Sequence, residues 1–168
     1  MIDEHSIRVA RPTDFEAVGA LLLARYAKLL ADHYDRDLLE KALPFMTGAN
    51  AMLLASGKYY VAENDTGTPI ACGGWSIAPP GSGEITHGEG HIRHFATHPE
   101  WVSRGIGSAL LARCIDDARP LTRTLHCFSS LNAESFYRAC GFETIGPVDV
   151  PMGPTLKFPC ILMKRCLD

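Results

Sequence analysis

A pair of glycines lies where a helix is predicted to begin, and this arrangement can bind an anion. Gly105 and Gly107 follow Pro99 and precede an apolar-faced helix that stops at Pro120. The first N–H groups of a helix lack an acceptor within the helix, and the helix dipole adds about +0.5 charge there, so the main chain can hold a pyrophosphate. A tight turn packed against a strand would use the same glycines, and the pair alone does not separate these interpretations.

A second segment, from Asn132 to Phe142, lies about one strand and one turn further along the chain. By itself it predicts a short amphipathic helix over 133–140 with aromatic core residues. We expect Asn132 to cap the N-terminus of this helix and Gly141 to supply a left-handed residue at its end. A functional interpretation of this segment is favoured only because it occurs together with the glycine segment.

Four histidines, His87, His91, His94 and His98, would lie on one face of a helix and could there bind a metal. The glycines and the proline among them disfavour a helix, and on a strand the four imidazoles divide between two faces. We therefore expect no metal site.

Composition and charge narrow the function classes. The chain has 168 residues, 46% of them hydrophobic and 21% charged, which is typical of one globular domain. The net charge is −3 and no cluster of Lys and Arg could neutralise several phosphates, so we expect no nucleic-acid partner.

The expected location is the cytoplasm, without membrane contact. No run reaches the roughly 18 apolar residues of a membrane span, and Asp3 and Glu4 stand where a signal peptide would carry basic residues. The six cysteines do not have C-x-x-C spacing, so we expect buried, reduced thiols.

The elements that must position the two segments can be predicted from periodicity and turn residues. Thr13 and Glu16 form a capping box for a first helix, and a second helix is expected over 37–46. The expected strands cover 7–10, 58–63, 70–77, 91–97, 124–128, 142–145 and 157–164. A loop is expected over 78–90. The segment between the last two strands contains several prolines and is also expected to be a loop. This mixed order predicts an α/β fold around a central sheet.

Together the two segments resemble the GCN5-related N-acetyltransferase (GNAT) superfamily. That family has a strand, a proline and Q/R-x-x-G-x-G/A at a helix start, and later N-x-x-A/S-x-x-F-Y-x-x-x-G-F. Gly105 and Gly107 match the first pattern, with Val102 where Gln or Arg is usual. The second is matched at Asn132, Ser135, Phe136, Tyr137, Gly141 and Phe142. The predicted element order of nearly the whole chain agrees with the family.

The resemblance implies one acyl-CoA N-acyltransferase domain over 1–168. The expected fold is a mixed, mostly antiparallel sheet flanked by helices, in which strands 91–97 and 124–128 splay apart to form a slot for acetyl-CoA. The residues implied to contact this co-substrate are Phe95, Ala96, Thr97, Val102, Ser103, Arg104, Gly105, Ile106, Gly107, Ser108, Asn132, Ser135 and Tyr137. With Val102 at its start, the motif would hold the pyrophosphate mainly through main-chain N–H groups, assisted by Arg104.

The resemblance also implies catalytic roles. Tyr137 would protonate the departing thiolate, since a phenol with a pKa near ~10 keeps its proton at neutral pH. An attacking amine must first lose a proton, and many family members have a Glu at the start of the strand before the helix. His91 occupies that position here, and Glu89 is a nearby substitute. His94 should face the other side of the strand and is a poorer choice.

Two other function classes stay open at this stage. A non-catalytic acyl-CoA-binding or regulatory module could use the same fold, but it would not need an acid such as Tyr137. A dinucleotide-binding domain would need a third glycine where Leu110 stands. The acceptor is expected to be an amine of a small molecule or peptide, in a pocket shaped by 34–54, 78–90 and 146–159. The resemblance leaves a homodimer open.

Overall fold

The computed structural model describes residues 5–81 and 83–167. Its strands and helices are β1 (His5–Val9), α1 (Phe15–Leu29), α2 (Arg36–Met46), α3 (Ala51–Leu54), β2 (Tyr59–Asn64), β3 (Pro69–Ser76), β4 (Glu89–Thr97), α4 (Ile106–Ala118), β5 (Thr124–Ser129), α5 (Glu134–Ala139), β6 (Glu143–Met152) and β7 (Leu156–Cys166). Short 3-10 turns precede α1 and α4. The predicted order is confirmed, and the structure adds the short helix α3.

Within the described residues, seven strands form one sheet in the order β1-β2-β3-β4-β5-β7-β6. All neighbouring strands are antiparallel except β4 and β5, which are parallel. Helices flank both faces of the sheet, so the predicted α/β fold with a mixed, mostly antiparallel sheet is confirmed.

Each face of the sheet has its own apolar core, because side chains of a strand alternate between faces. On one face α4 buries Leu110, Leu111 and Cys114 against the sheet. On the other face α1 buries Val18 and Leu22. Burying one leucine side chain stabilises the folded state by about 1.5–3 kcal/mol. The buried leucines of α1 and α4 therefore stabilise the packing of the helices on the two faces of the sheet.

The start of α1 differs from the predicted capping box. Pro12–Asp14 form a 3-10 turn directly before the helix, so Thr13 lies inside this turn and is not the N-cap. The Asp14 carboxylate accepts hydrogen bonds from the Arg11 main-chain N–H at 2.7 Å and from the Arg8 guanidinium at 2.8 Å. An ion pair with β1 therefore fixes the helix start, and this contact leaves no local pattern in the sequence.

The predicted loop before the last strand is wrong for most of its length. β6 runs through Pro147 and Pro151 and pairs with β7 from Glu143 opposite Lys164 to Met152 opposite Leu156. β6 is an edge strand with only β7 beside it. Proline is tolerated on an edge strand where its missing N–H would face away from the neighbour. The last two strands therefore form a long hairpin.

Residues 1–4, Ser82 and Asp168 lie outside the described residues. They include Asp3 and Glu4, considered above for a signal peptide, and one position of the predicted loop 78–90. No helix in the described ranges is long and apolar enough to cross a membrane.

Candidate functional site

Strands β4 and β5 separate after a short paired stretch and leave a slot. They pair only at Glu89 with Thr124, Gly90 with Leu125 and His91 with His126. Beyond that point β4 pairs with β3 alone and β5 with β7 alone. A cavity of about 1360 Å³ occupies the gap, and its wall includes both diverging strand ends and the start of α4. The predicted splayed pair is thus present.

The start of α4 presents free main-chain amides to this cavity. Gly105 is the N-cap and has φ 81°, a left-handed conformation that glycine adopts without strain. The Ala109 N–H donates to the Gly105 carbonyl at 3.0 Å, so the amides of Ile106, Gly107 and Ser108 precede the first bond within the helix. All three residues lie in the cavity wall, together with Val102 and Ser103. This end of the cavity, from Val102 to Ser108, is called the α4 end below.

Gly107 connects the two sequence segments in space. A Cβ built at this position would lie 3.4 Å from the Phe136 ring on α5 and 3.7 Å from the Thr97 hydroxyl on β4. A side chain here would therefore press on α5 and on the end of β4. Glycine keeps the helix start close to both elements, a packing role that is compatible with either interpretation of the glycine pair.

Tyr137 lies in the cavity wall with its phenol buried. The residue is 7% exposed, and its ring makes edge contacts with Phe136 at 5.1 Å and Phe142 at 5.6 Å between centroids. Burial raises the pKa of the Tyr137 phenol well above 10, and its hydroxyl interacts with the Cys127 thiol. The phenol therefore keeps its proton at any physiological pH.

Three other residues expected at the co-substrate are placed differently. Asn132 lies in the cavity wall, but α5 has Ala133 as its N-cap, so the predicted capping role of Asn132 is wrong. Its side-chain carbonyl instead accepts a hydrogen bond from the Ser130 hydroxyl at 2.7 Å. Ser135 and Arg104 are exposed and do not contribute to the wall. Arg104 lies over the Trp101 ring at 4.6 Å.

A β-bulge in β4 shapes the middle of the cavity. Cys72 pairs with Ala96 but Gly74 pairs with Arg93, so β4 has one more residue than β3 across this interval. His94 lies in this bulge and has a positive φ of 48°. The Tyr59 hydroxyl donates to the His94 carbonyl at 2.7 Å and thereby fixes the bulge.

The bulge overturns the expectation that His94 faces away from the side of His91. Side-chain alternation breaks at a bulge, and the His94 imidazole reaches the main chain of Met46 on α2, on the same side as Arg93. Burial, with a smaller contribution from Arg93, lowers the pKa of His94 to about 4. His94 lies in the cavity wall and is unprotonated at neutral pH.

The structure does not bring the two expected proton acceptors to the cavity. His91 and Glu89 are absent from its wall among the described residues. His91 instead packs edge-on against His126 with 5.7 Å between ring centroids, and the Glu89 carboxylate lies 3.9 Å from His126 Nδ1. Burial and then the charge of His126 lower the pKa of His91.

The opposite end of the cavity lies on the α1 side of the sheet and is called the α1 end below. Its wall includes Arg25 and Tyr26 of α1, Arg93 and His94 of β4, and Asp149 of β6. The Tyr26 hydroxyl donates to the Phe95 carbonyl at 2.9 Å, which ties α1 to the strand. The predicted pocket segments 34–54, 78–90 and 146–159 all contribute residues to the wall.

Arg25, Tyr26 and Arg93 of the α1 end were not predicted as cavity residues from the sequence. Arg25 and Tyr26 lie on a helix predicted from a capping box and from apolar spacing that includes Tyr26, and neither signal marks them as cavity residues. Arg93 and His94 could have been suspected, because they directly precede Phe95, which was expected to contact the co-substrate. Strict alternation of side chains along the strand instead assigned His94 to the wrong face of the sheet.

Cysteines and histidines form no metal site in the part of the chain that the structure describes. No group of three or more His, Cys, Asp or Glu side chains there is arranged to hold an ion. Cys72, Cys114, Cys127 and Cys160 are buried with free thiols.

Comparisons with known proteins agree with this geometry. Residues 18–142 match the profile of a family described as "Acetyltransferase (GNAT) family". None of the curated protein sequences matches the chain significantly.

Several solved structures share the fold. A GCN5-related N-acetyltransferase from Rhodopseudomonas palustris, described further as "Aminotransferase, Class-II", is 21% identical with a TM-score of 0.77, and the match covers 99% of each chain. The PaiA N-acetyltransferase from Thermoplasma acidophilum in complex with coenzyme A is 15% identical with a TM-score of 0.68, over 97% of this chain and 99% of that one. The ribosomal-protein-S18-alanine N-acetyltransferase from Escherichia coli is 16% identical with a TM-score of 0.64, and the match covers 98% of this chain and 94% of that one.

Proposed function

This chain belongs to the acetyltransferase (GNAT) family, and from that premise we propose that it moves an acetyl group from acetyl-CoA directly to an amine of a small molecule or peptide. The observation that carries the proposal is the slot between β4 and β5, which opens at one end on the amides of α4 and contains the Tyr137 phenol. A similar protein, the PaiA N-acetyltransferase, is described in complex with coenzyme A.

The α4 end fits a diphosphate. Ile106, Gly107 and Ser108 offer consecutive N–H groups without a partner in the helix, and the positive end of the helix dipole adds to their attraction for an anion. Val102 supplies no cation, so we expect the main chain to provide most of the affinity.

Tyr137 is the proposed general acid. The amine nitrogen attacks the thioester carbonyl carbon, a C–N bond forms, and the C–S bond breaks with its electron pair leaving on sulfur. The Tyr137 hydroxyl gives its proton to that sulfur and regains one from solvent. A phenol with a raised pKa arrives protonated, as this step requires.

His94 is the proposed proton acceptor, in place of His91 and Glu89. It is the imidazole in the cavity wall, and burial keeps it unprotonated at neutral pH. An alkylammonium must lose one proton before attack and its nitrogen loses a second afterwards. Because burial lowers its pKa, the His94 imidazole is a weak proton acceptor, and each proton would have to be relayed onward to water.

The test is release of free thiol from acetyl-CoA with a panel of amines: polyamines, amino acids, aminoglycosides and peptide N-termini. Amine-dependent thiol release, with an acetylated product of the expected mass, would support the proposal. A chain that binds coenzyme A in calorimetry but releases no thiol with any amine would be a binding module. No heat at millimolar coenzyme A would refute the site itself.

A further inference from the structure

Two partly buried arginines line the α1 end of the cavity without a carboxylate partner. Arg25 has no hydrogen bond or ion pair with any described residue, and Arg93 donates only to the Ser76 hydroxyl, at 3.1 Å. Burial lowers the pKa of both guanidinium groups. Each therefore keeps a charge partly out of water without an ion pair to a described carboxylate.

Two other half-buried arginines of this chain pair with carboxylates. Arg8 bonds to Asp14 at 2.8 Å and to Glu63 at 3.2 Å, and Arg113 bonds to Asp117 at 2.9 Å. Arg165, which is also half-buried, donates instead to the Cys140 carbonyl, whereas Arg25 and Arg93 lie together in the cavity wall. A guanidinium binds a planar carboxylate through two parallel N–H···O bonds, so an anion from outside would supply the missing partner.

The position of these arginines separates them from the proposed diphosphate site. Ile92 packs in the core beneath α4, and Arg93 follows it on the strand, so the Arg93 side chain points to the opposite face. Arg25 belongs to α1, which covers that opposite face. The two charges therefore face whatever enters from the α1 end.

The rest of the α1 end is largely apolar. Phe45 and Met52 are 53% and 85% exposed at its rim, and Val150 and Met152 of β6 lie in the same wall. Asp149 is the carboxylate that the described part of the wall contains, and it is exposed. A ligand complementary to this surface has an apolar body and a negative group.

We propose that the acceptor is an amine that also carries a carboxylate, held by Arg25 and Arg93, with an apolar body against Phe45 and Met52. This inference rests on the proposed acetyl transfer and names its substrate class as apolar amino acids. The bound carboxylate would also offset the charge of Arg93, which otherwise disfavours proton uptake by the neighbouring His94. The bound amine substrate would in this way make His94 a better proton acceptor.

The experiment compares acceptors with and without the carboxylate over a range of pH, because removing the carboxylate also changes the pKa of the amine. Thiol release is measured with L-phenylalanine, L-phenylalaninamide and 2-phenylethylamine, and with the corresponding leucine and methionine series. We expect the free acid to exceed its amide by about tenfold or more in kcat/KM, because a hydrogen-bonded charge pair is lost in the amide. In a parallel calorimetric measurement with protein saturated with coenzyme A, N-acetyl-L-phenylalanine should bind more tightly than N-acetyl-L-phenylalaninamide.

Variants connect this preference to the two arginines. Arg25→Gln and Arg93→Gln should each lower the acid-to-amide ratio in kcat/KM several-fold. Arg36→Gln is the matched control, because that side chain is 94% exposed on α2 and its loss removes the same charge outside the cavity. It should leave the ratio unchanged.

The outcomes separate the two proposals. Thiol release with amides or polyamines at rates equal to or above those of the free acids would overturn the carboxylate inference and leave acetyl transfer standing. An acid-to-amide ratio unaffected by both arginine variants would overturn it too. Absence of thiol release with every amine, together with tighter binding of the N-acetylated acid, would retain the carboxylate site and refute acetyl transfer.

Discussion

Replacing Tyr137 by phenylalanine tests the proposed acid with little change in packing. The ring keeps its edge contacts with Phe136 and Phe142, at 5.1 Å and 5.6 Å between centroids. The lost hydroxyl interacts with the Cys127 thiol, which is a weak hydrogen-bond acceptor. We therefore expect the free energy of unfolding to change by less than about 1 kcal/mol.

The effect on turnover should be much larger. In the Tyr137→Phe variant the thiolate would form in a buried site that has lost its proton donor. A hydrogen bond to a charged group contributes about 1.5–3 kcal/mol, and general acid catalysis contributes about 10²-fold or more. We expect kcat to fall by about 10²-fold while the affinity for coenzyme A changes little.

The assay combines thiol release at saturating acetyl-CoA, calorimetry with coenzyme A and thermal unfolding of both proteins. Tyr60→Phe is the control: its hydroxyl donates to Asp117 at 2.5 Å, and the residue lies outside the cavity wall. This control should lower the melting temperature and leave kcat unchanged. A Tyr137→Phe variant with undiminished kcat would remove the phenol from the mechanism.

Three further perturbations examine other parts of the molecule. His94→Gln should lower kcat by about 10²-fold and His91→Gln should not, measured by thiol release; the reverse result would restore His91 as proton acceptor. Gly107→Val would put a side chain against α5 and weaken coenzyme A binding by about tenfold or more, and unchanged calorimetry would contradict a role for this helix start. Asp14→Asn should cost about 1–2 kcal/mol of unfolding free energy at pH 7, because Arg8 holds the pKa of Asp14 below its usual value. That stabilisation is present above about pH 4 and is lost as the pH falls through the lowered pKa, so in denaturant titrations the two proteins should converge in acid.

The α4 end could be predicted from the sequence because its signals are local. A helix start needs an N-cap, and glycine is favoured where φ is positive, so Gly105 with φ 81° marks the position within a few residues. The second segment also carries its aromatic residues on consecutive positions. Neither inference required knowledge of which strands pair.

The bulge in β4 and the hairpin of β6 and β7 could not be predicted in this way. Both depend on the neighbouring strand: the bulge on the pairing of β3 with β4, and the tolerance for Pro147 and Pro151 on the edge position of β6. One extra residue in β4 was enough to move His94 to the side where it lines the cavity. Strict alternation is a good rule only where the register is continuous.

The two ends of the cavity should therefore respond differently to sequence change. The α4 end binds through main-chain amides, so substitutions there act mainly by blocking or straining the backbone, as at Gly107 or Gly105. The α1 end is built from side chains of α1, α2, β4 and β6, which are far apart in the sequence. A substitution at Arg25 or Phe45 can alter the acceptor without touching the amides of α4. Acceptor preference should thus change independently of the affinity for coenzyme A, and paired measurements of both quantities on one set of variants would show whether the ends are energetically separate.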